Sequence, residues 1–160
     1  MILVTIVAVD YETNRWFSMF FVHAATDLSV ILSKIFFIPA KYLISTSNAI
    51  ATPDLNYDMI SIANYPLKIE LECSAYHAYF ALIALVLFSA WKLKDKFLYG
   101  TVILVVLAIL NSARIVILGV IGKMFPAILD AMHDYIWNIL LVIILWGLWE
   151  LSNKRLTKTA

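Results

Sequence analysis

Residues 97–122 read FLYGTVILVVLAILNSARIVILGVIG, and this stretch decides the fold class. About 20 consecutive apolar residues cross a hydrocarbon core of about 30 Å as an α-helix. The run is longer than that, and Arg114 is its single charged residue. A helix so uniformly apolar has no face left for water. Two similar runs flank it, residues 74–91 (SAYHAYFALIALVLFSAW) and residues 134–150 (DYIWNILLVIILWGLWE). The second carries Tyr135, Trp137, Trp146 and Trp149 near its ends, where interfacial aromatic belts form. Composition agrees: the 160 residues are 63% hydrophobic and 14% charged, with a mean hydropathy of +0.89. So few charges do not cover the surface of a soluble domain of this size. The expected fold is therefore a single all-α polytopic membrane domain, a bundle of about four transmembrane helices.

The first of the four is harder to read. Residues 16–43 are apolar enough to insert but include His23, Asp27 and Lys34, whose spacings of four and seven put them on one helical face. Such a helix either spans with its polar stripe turned into the bundle or lies in the interface. Residues 1–9 (MILVTIVAV) are too few to span, and without a small-residue cleavage site after a basic start they do not read as a signal peptide. Orientation follows from Lys92, Lys94 and Lys96 in one short loop and Lys154, Arg155 and Lys158 in the tail 151–160, both cytoplasmic by the positive-inside rule. Residues 44–72 and 123–132 then lie outside, the latter despite Lys123. Within 44–72, the turn-rich ISTSNAIATPDLNYD precedes two short apolar runs, 59–63 and 67–71, separated by Asn64, Tyr65 and Pro66. They read as a β-hairpin leading into Cys73. No internal repeat or low-complexity tract is present.

A net charge of +1 offers no basic field for nucleic acid. The single cysteine excludes an intramolecular disulfide and a four-cysteine zinc site. Cys73 stands at the outer start of the run 74–91, where a helix N-terminus favours the thiolate. Its other reading is a small buried hydrophobe. Arg114 lies 17 residues into its span, about 26 Å across. A charge there costs about 2.5–3.5 kcal/mol on insertion scales, which snorkelling, an ion pair or a functional site must offset. Asn111, three residues earlier, shares its face and is placed to orient the guanidinium or bond a substrate carbonyl. His133 opens the last span, with Asp130 three residues back at the spacing to orient its ring and Asp134 adjacent; a histidine there also serves as an interfacial anchor. The lysine-derived topology puts Cys73, Arg114 and His133, from three different spans, on the same outer face. Together they suit acyl transfer at a peptide bond, with thiolate attack, a cation at the developing charge and an acid/base for the leaving amine.

Three motifs, ECSAYHA at 72–78, NSARIVIL at 111–118 and HDYIWNILLVIILW from His133, resemble the exosortase/archaeosortase family. That family shows a cysteine in a Cys-Ser/Asn-Gly-like turn, an Asn-x-x-Arg-Ile motif and a histidine opening a final apolar helix. The short length, the Glu-Cys start and FPAILDAMHDYIW look most like the compact exosortase H branch, over about residues 58–150. The resemblance implies a cysteine protease or transpeptidase of the prokaryotic inner membrane with its site on the extracytoplasmic face. Its substrates would be secreted proteins bearing a C-terminal sorting signal: a short motif, a transmembrane helix and a basic tail. Cleavage would pass through a thioester, and the new carboxyl end would go to a lipid or other amine or nucleophile acceptor. Cys73 would be the nucleophile, Arg114 the assisting cation and His133 the acid/base, with Asn111, Glu72, Ser74 and Asp130 in support and no cofactor or metal. One departure is Ala75, where many members have glycine; alanine disfavours a positive-φ turn, which would draw the cysteine into the helix.

Two other readings compete. A small transporter or assembly factor would use His23, Asp27, Lys34 and Arg114 as a buried polar path. A metal site would join Cys73 and His77, at i and i+4 of one helix, with His133, but no His-Glu-x-x-His signature accompanies them. His77 otherwise packs in the bundle or lines the substrate entry.

Overall fold

The computed structural model describes residues 16–44 and 57–158. Residues 1–15, 45–56 and 159–160, which include the nine-residue N-terminal run and most of the turn-rich segment, lie outside the described residues. The chain is mainly helical: α1 (Trp16–Ile35), α2 (Tyr76–Phe88), α3 (Leu93–Met124) and α4 (Trp137–Lys158) accompany strands β1 (Ala40–Ile44), β2 (Asp58–Ile62) and β3 (Tyr65–Ile69). At 32 residues, with a mean hydropathy of 2.5 over its most apolar window, α3 is long and apolar enough to cross a membrane.

The expected first helix, 16–43, ends early. Ile35 is its last residue because Phe37 takes a left-handed conformation (φ 56°), and the Ile38 and Phe37 amides bond back to the Ser33 and Lys34 carbonyls. This is a Schellman closure, and Pro39 follows it. The rest of the predicted helix becomes β1, which turns the predicted hairpin into a three-stranded antiparallel sheet of order β1-β2-β3. The β2–β3 turn is Ala63-Asn64, both at positive φ (54° and 67°), between the paired Ile62 and Tyr65. Two such residues make the primed turn whose twist matches the strands.

Helix α1 lays a stripe of Val22, Ala25, Thr26, Ser29 and Ser33 into the core. Thr26 and Ser29 satisfy their hydroxyls on the carbonyls of Val22 and Ala25, four residues back (2.8 and 2.6 Å), so these two cost little to bury, whereas the Ser33 hydroxyl has no partner among the described residues. The sheet packs on the C-terminal half of α3 at two glycines. A Cβ on Gly119 would lie 2.6 Å from Ile62 Cβ, and one on Gly122 would lie 2.5 Å from the Tyr65 ring. The ring is free to turn but the branched Cβ is not. Gly119→Val is therefore expected to lower stability by about 1–3 kcal/mol, with Gly122→Ala the milder change, measured as thermal unfolding in detergent.

At the opposite end, α2 stops at Phe88, short of the predicted limit at residue 91, and Lys96 Nζ caps the Leu87 carbonyl (2.7 Å). Trp91 turns inward and donates its indole N–H to Asn153 Oδ1 (2.9 Å). Asn153 belongs to α4, which begins later than expected, at Trp137, and continues through the predicted tail to Lys158. The basic residues of that segment do not end the helix. Two hydrophobic clusters result. One joins α1, the sheet and the end of α3 around Cys73; the other joins α2, the start of α3 and α4 around Leu82, Leu107 and Trp91.

Candidate functional site

Cys73 follows β3 in a single 3-10 turn, Leu71–Ser74, that packs against α1. Its amide donates to the Glu70 carbonyl (3.0 Å) and Ser74 Oγ closes the turn on the Leu71 carbonyl (2.5 Å). Ala75 then takes the left-handed conformation (φ 56°, ψ 27°) before α2 begins at Tyr76. This corrects two expectations. Cys73 is not in the first turn of the helix, which begins at Tyr76. Ala75 keeps the positive-φ turn that glycine would make more easily. The left-handed conformation costs an L-residue about 1–2 kcal/mol. Ala75→Gly is accordingly expected to gain about 1 kcal/mol of thermal stability without loss of thiol reactivity.

The thiol faces a histidine. Cys73 Sγ lies 3.2 Å from His133 Nε2 and 4.0 Å from the Lys68 carbonyl, with Cys73 only 9% exposed. His133 sits in a π-helical turn, Met132–Ile136, entered from the turns Pro126–Ile128 and Leu129–Ala131 that follow α3. Such wide turns recur where a helix must re-aim a side chain.

Two buried residues of α3 hold the pair from below. Asn111, fully buried, donates from Nδ2 to the Cys73 carbonyl (3.1 Å). Arg114, 2% exposed, donates from Nη2 to the His133 carbonyl (3.2 Å). Asn111 was expected to orient the guanidinium or bond a substrate carbonyl; here its amide holds the Cys73 backbone, and Arg114 holds the His133 backbone. Both are one turn apart on α3, so the longest helix sets the distance between thiol and imidazole.

Cys73, Arg114, His133 and Asn111 are therefore brought together, and Ser74 acts by shaping the turn. Glu72 is exposed and lines a groove between α2 and α4 that also receives His77. Asp130 lies on the backbone turn Leu129–Ala131, three residues before His133, and its side chain is outside the described residues, as is that of Asp134. No protein-family model, curated protein or solved structure matches the chain.

The competing arrangements do not form. The break at Ala75 takes Cys73 off the helix that carries His77, so they are not an i, i+4 pair, and His77 stacks on Tyr76 (3.7 Å between centroids). His23 Nδ1 pairs with Asp58 Oδ2 (2.9 Å), Asp27 accepts a hydrogen bond from Tyr42 Oη of β1, and Lys34 is exposed, so these residues and Arg114 do not line one path. The His23–Asp58 and Asp27–Tyr42 contacts tie the sheet to α1 instead. Partial burial and the Asp27 carboxylate push the Tyr42 phenol well above its ordinary value of 10.0, so it remains a donor at neutral pH. That anchor is fully present below about pH 10 and is lost only as pH rises through the elevated value. Asp58 was not anticipated as a structural residue; its signal is an acidic residue opening an alternating apolar strand.

Proposed function

We propose that the chain is a multi-pass membrane cysteine protease or transpeptidase of the exosortase/archaeosortase type, acting on C-terminal sorting signals at the extracytoplasmic face of a prokaryotic inner membrane. The observation that carries this reading is the 3.2 Å approach of Cys73 Sγ to His133 Nε2, braced by two buried polar residues of the long helix α3. A purely structural cysteine needs no histidine, and an arginine in an apolar span costs stability that a reacting centre explains. The resemblance of the three motifs adds to this.

In the proposed reaction, His133 Nε2 takes the thiol proton and Sγ attacks the scissile carbonyl carbon. The positive charge of Arg114, anchored at the His133 backbone, favours both the thiolate and the oxyanion. As the tetrahedral intermediate collapses, the C–N bond breaks and the imidazolium gives its proton to the leaving amine, which leaves a thioester on Cys73. An amine or another nucleophile then gives up its proton to His133 and attacks the thioester, which frees the thiol; water in that place gives hydrolysis.

Trapping tests this directly. Comparing membranes of cells that carry the wild-type chain with those that carry Cys73→Ala should reveal a secreted protein whose C-terminal trimming depends on Cys73. That protein should form a hydroxylamine-sensitive adduct on Cys73 that accumulates when acceptor is limiting. Unchanged processing in Cys73→Ala cells overturns the proposal.

A further inference from the structure

The groove between α2 and α4 holds about 930 Å³ of free volume that no described residue fills. Its two walls match. From α2 come His77, Ala81, Ala84 and Phe88, at steps of four, three and four. From α4 come Asn138, Val142, Leu145 and Trp149, at the same steps. A series at i, i+4, i+7 and i+11 is the face that a helix offers to another helix. Here two neighbouring helices turn such faces toward one space, along about 16 Å of axis. The alanines in the middle of the α2 wall let a third backbone come close. A helix of 10 Å diameter and that length occupies about 1,300 Å³, so the groove takes in most of its girth and leaves the remainder to lipid.

The ends of the groove differ. Glu72, His77 and Asn138 lie at one end, and that end is walled by Glu72 and Ala75, the residues that bracket Cys73 and Ser74. From there to Phe88 and Trp149 the walls are apolar, and Phe88 and Trp146 stand exposed at the open side. A peptide in the apolar part must satisfy its own backbone hydrogen bonds, which only a helix does. At the polar end Glu72, His77 and Asn138 offer partners to an unwound, hydrogen-bonding stretch. The groove thus ends at the residues that flank Cys73 and Ser74 in the chain, and its surroundings change there from apolar to polar.

We propose that this groove seats a transmembrane helix of the protein substrate and delivers the segment above that helix to Cys73. This rests on the proposed function and adds the location of the substrate. An acyl chain is the rival occupant, but it has no use for matched helical faces or for a polar end beside a nucleophile.

The test places the photo-crosslinker p-benzoylphenylalanine at Phe88 or Trp146, aromatic for aromatic, in the full chain carrying Cys73→Ala so that substrate stays intact. Phe97, exposed and lining a different hollow between α2 and α3, is the control site. The probe is the tagged host protein whose trimming depends on Cys73. We expect adducts to its membrane helix at Phe88 and Trp146 at least about tenfold above those at Phe97. A second measurement, Ala84→Trp with Cys73 intact, should raise the apparent KM at least several-fold. Equal crosslinking at all three sites, or adducts only to lipid, to the same chain or to a second copy, overturns the seat while Cys73-dependent trimming still stands. If no protein shows Cys73-dependent trimming, both proposals fall.

Discussion

Cys73→Ala is expected to abolish trimming of the substrate, and Cys73→Ser to leave it slower by on the order of 10³-fold or more, because an imidazole activates a thiol far more readily than a hydroxyl. His133→Ala should cost about 10²–10⁴-fold, the range of a positioned acid/base. The three variants separate two roles that the 3.2 Å contact joins. With His133→Ala the thiol remains but lacks its proton acceptor, so alkylation of Cys73 by iodoacetamide should slow in parallel with trimming. Unchanged alkylation together with lost trimming would mean that the imidazole serves only the leaving amine. Full trimming by His133→Ala would remove the histidine from the chemistry.

The second large effect is at Arg114. Its Nη2 holds the His133 carbonyl at 3.2 Å, and at 2% exposure its charge is almost wholly out of water. Arg114→Met keeps the volume and removes the charge, so a loss of about 10²–10³-fold in kcat is expected with KM nearly unchanged, as for removal of one donor at an oxyanion. Arg114→Lys should not restore the rate, because an ammonium on a flexible stem lacks the planar fork that spans the site. The alternative outcome is a shift in thermal unfolding with kcat per folded molecule intact. That would make Arg114 a prop for the π-helical turn and nothing more.

How much of this was legible in the sequence depended on the range of the interactions involved. The long apolar helix around Arg114 was readable because the length and hydropathy that suit a helix to a membrane are properties of one stretch of sequence. The expected meeting of Cys73, Arg114 and His133 came from counting residues along three apolar runs and from the direction that the lysines imply for them. The strand β1 was not readable. Its residues Ala40–Ile44 continue an apolar run without a change of period, and only the left-handed Phe37 and the pairing with β2 separate them from α1. The turn at Ala75 went against local propensity, which favours continuing the helix through alanine. The fold holds that residue in place from both sides, by the Ser74 hydroxyl below and by the start of α2 above, and such an override is visible only in three dimensions. For Asn111, spacing along α3 pointed to the guanidinium or to a substrate carbonyl, whereas its amide reaches across to the Cys73 carbonyl, a contact no spacing along one helix encodes.

The π-helical turn Met132–Ile136 has a genetic consequence. A π turn is an α-helix with one residue too many, so deleting a single codon within it restores the regular helix. The flanking segments would nearly keep their phase, because the wide turn already absorbs the extra residue, but the side chains inside the turn would be redirected and His133 would lose its aim at Sγ. Substitutions at the other positions of this turn should be better tolerated than a change in its length, because His133 is the one residue there that the proposed chemistry uses.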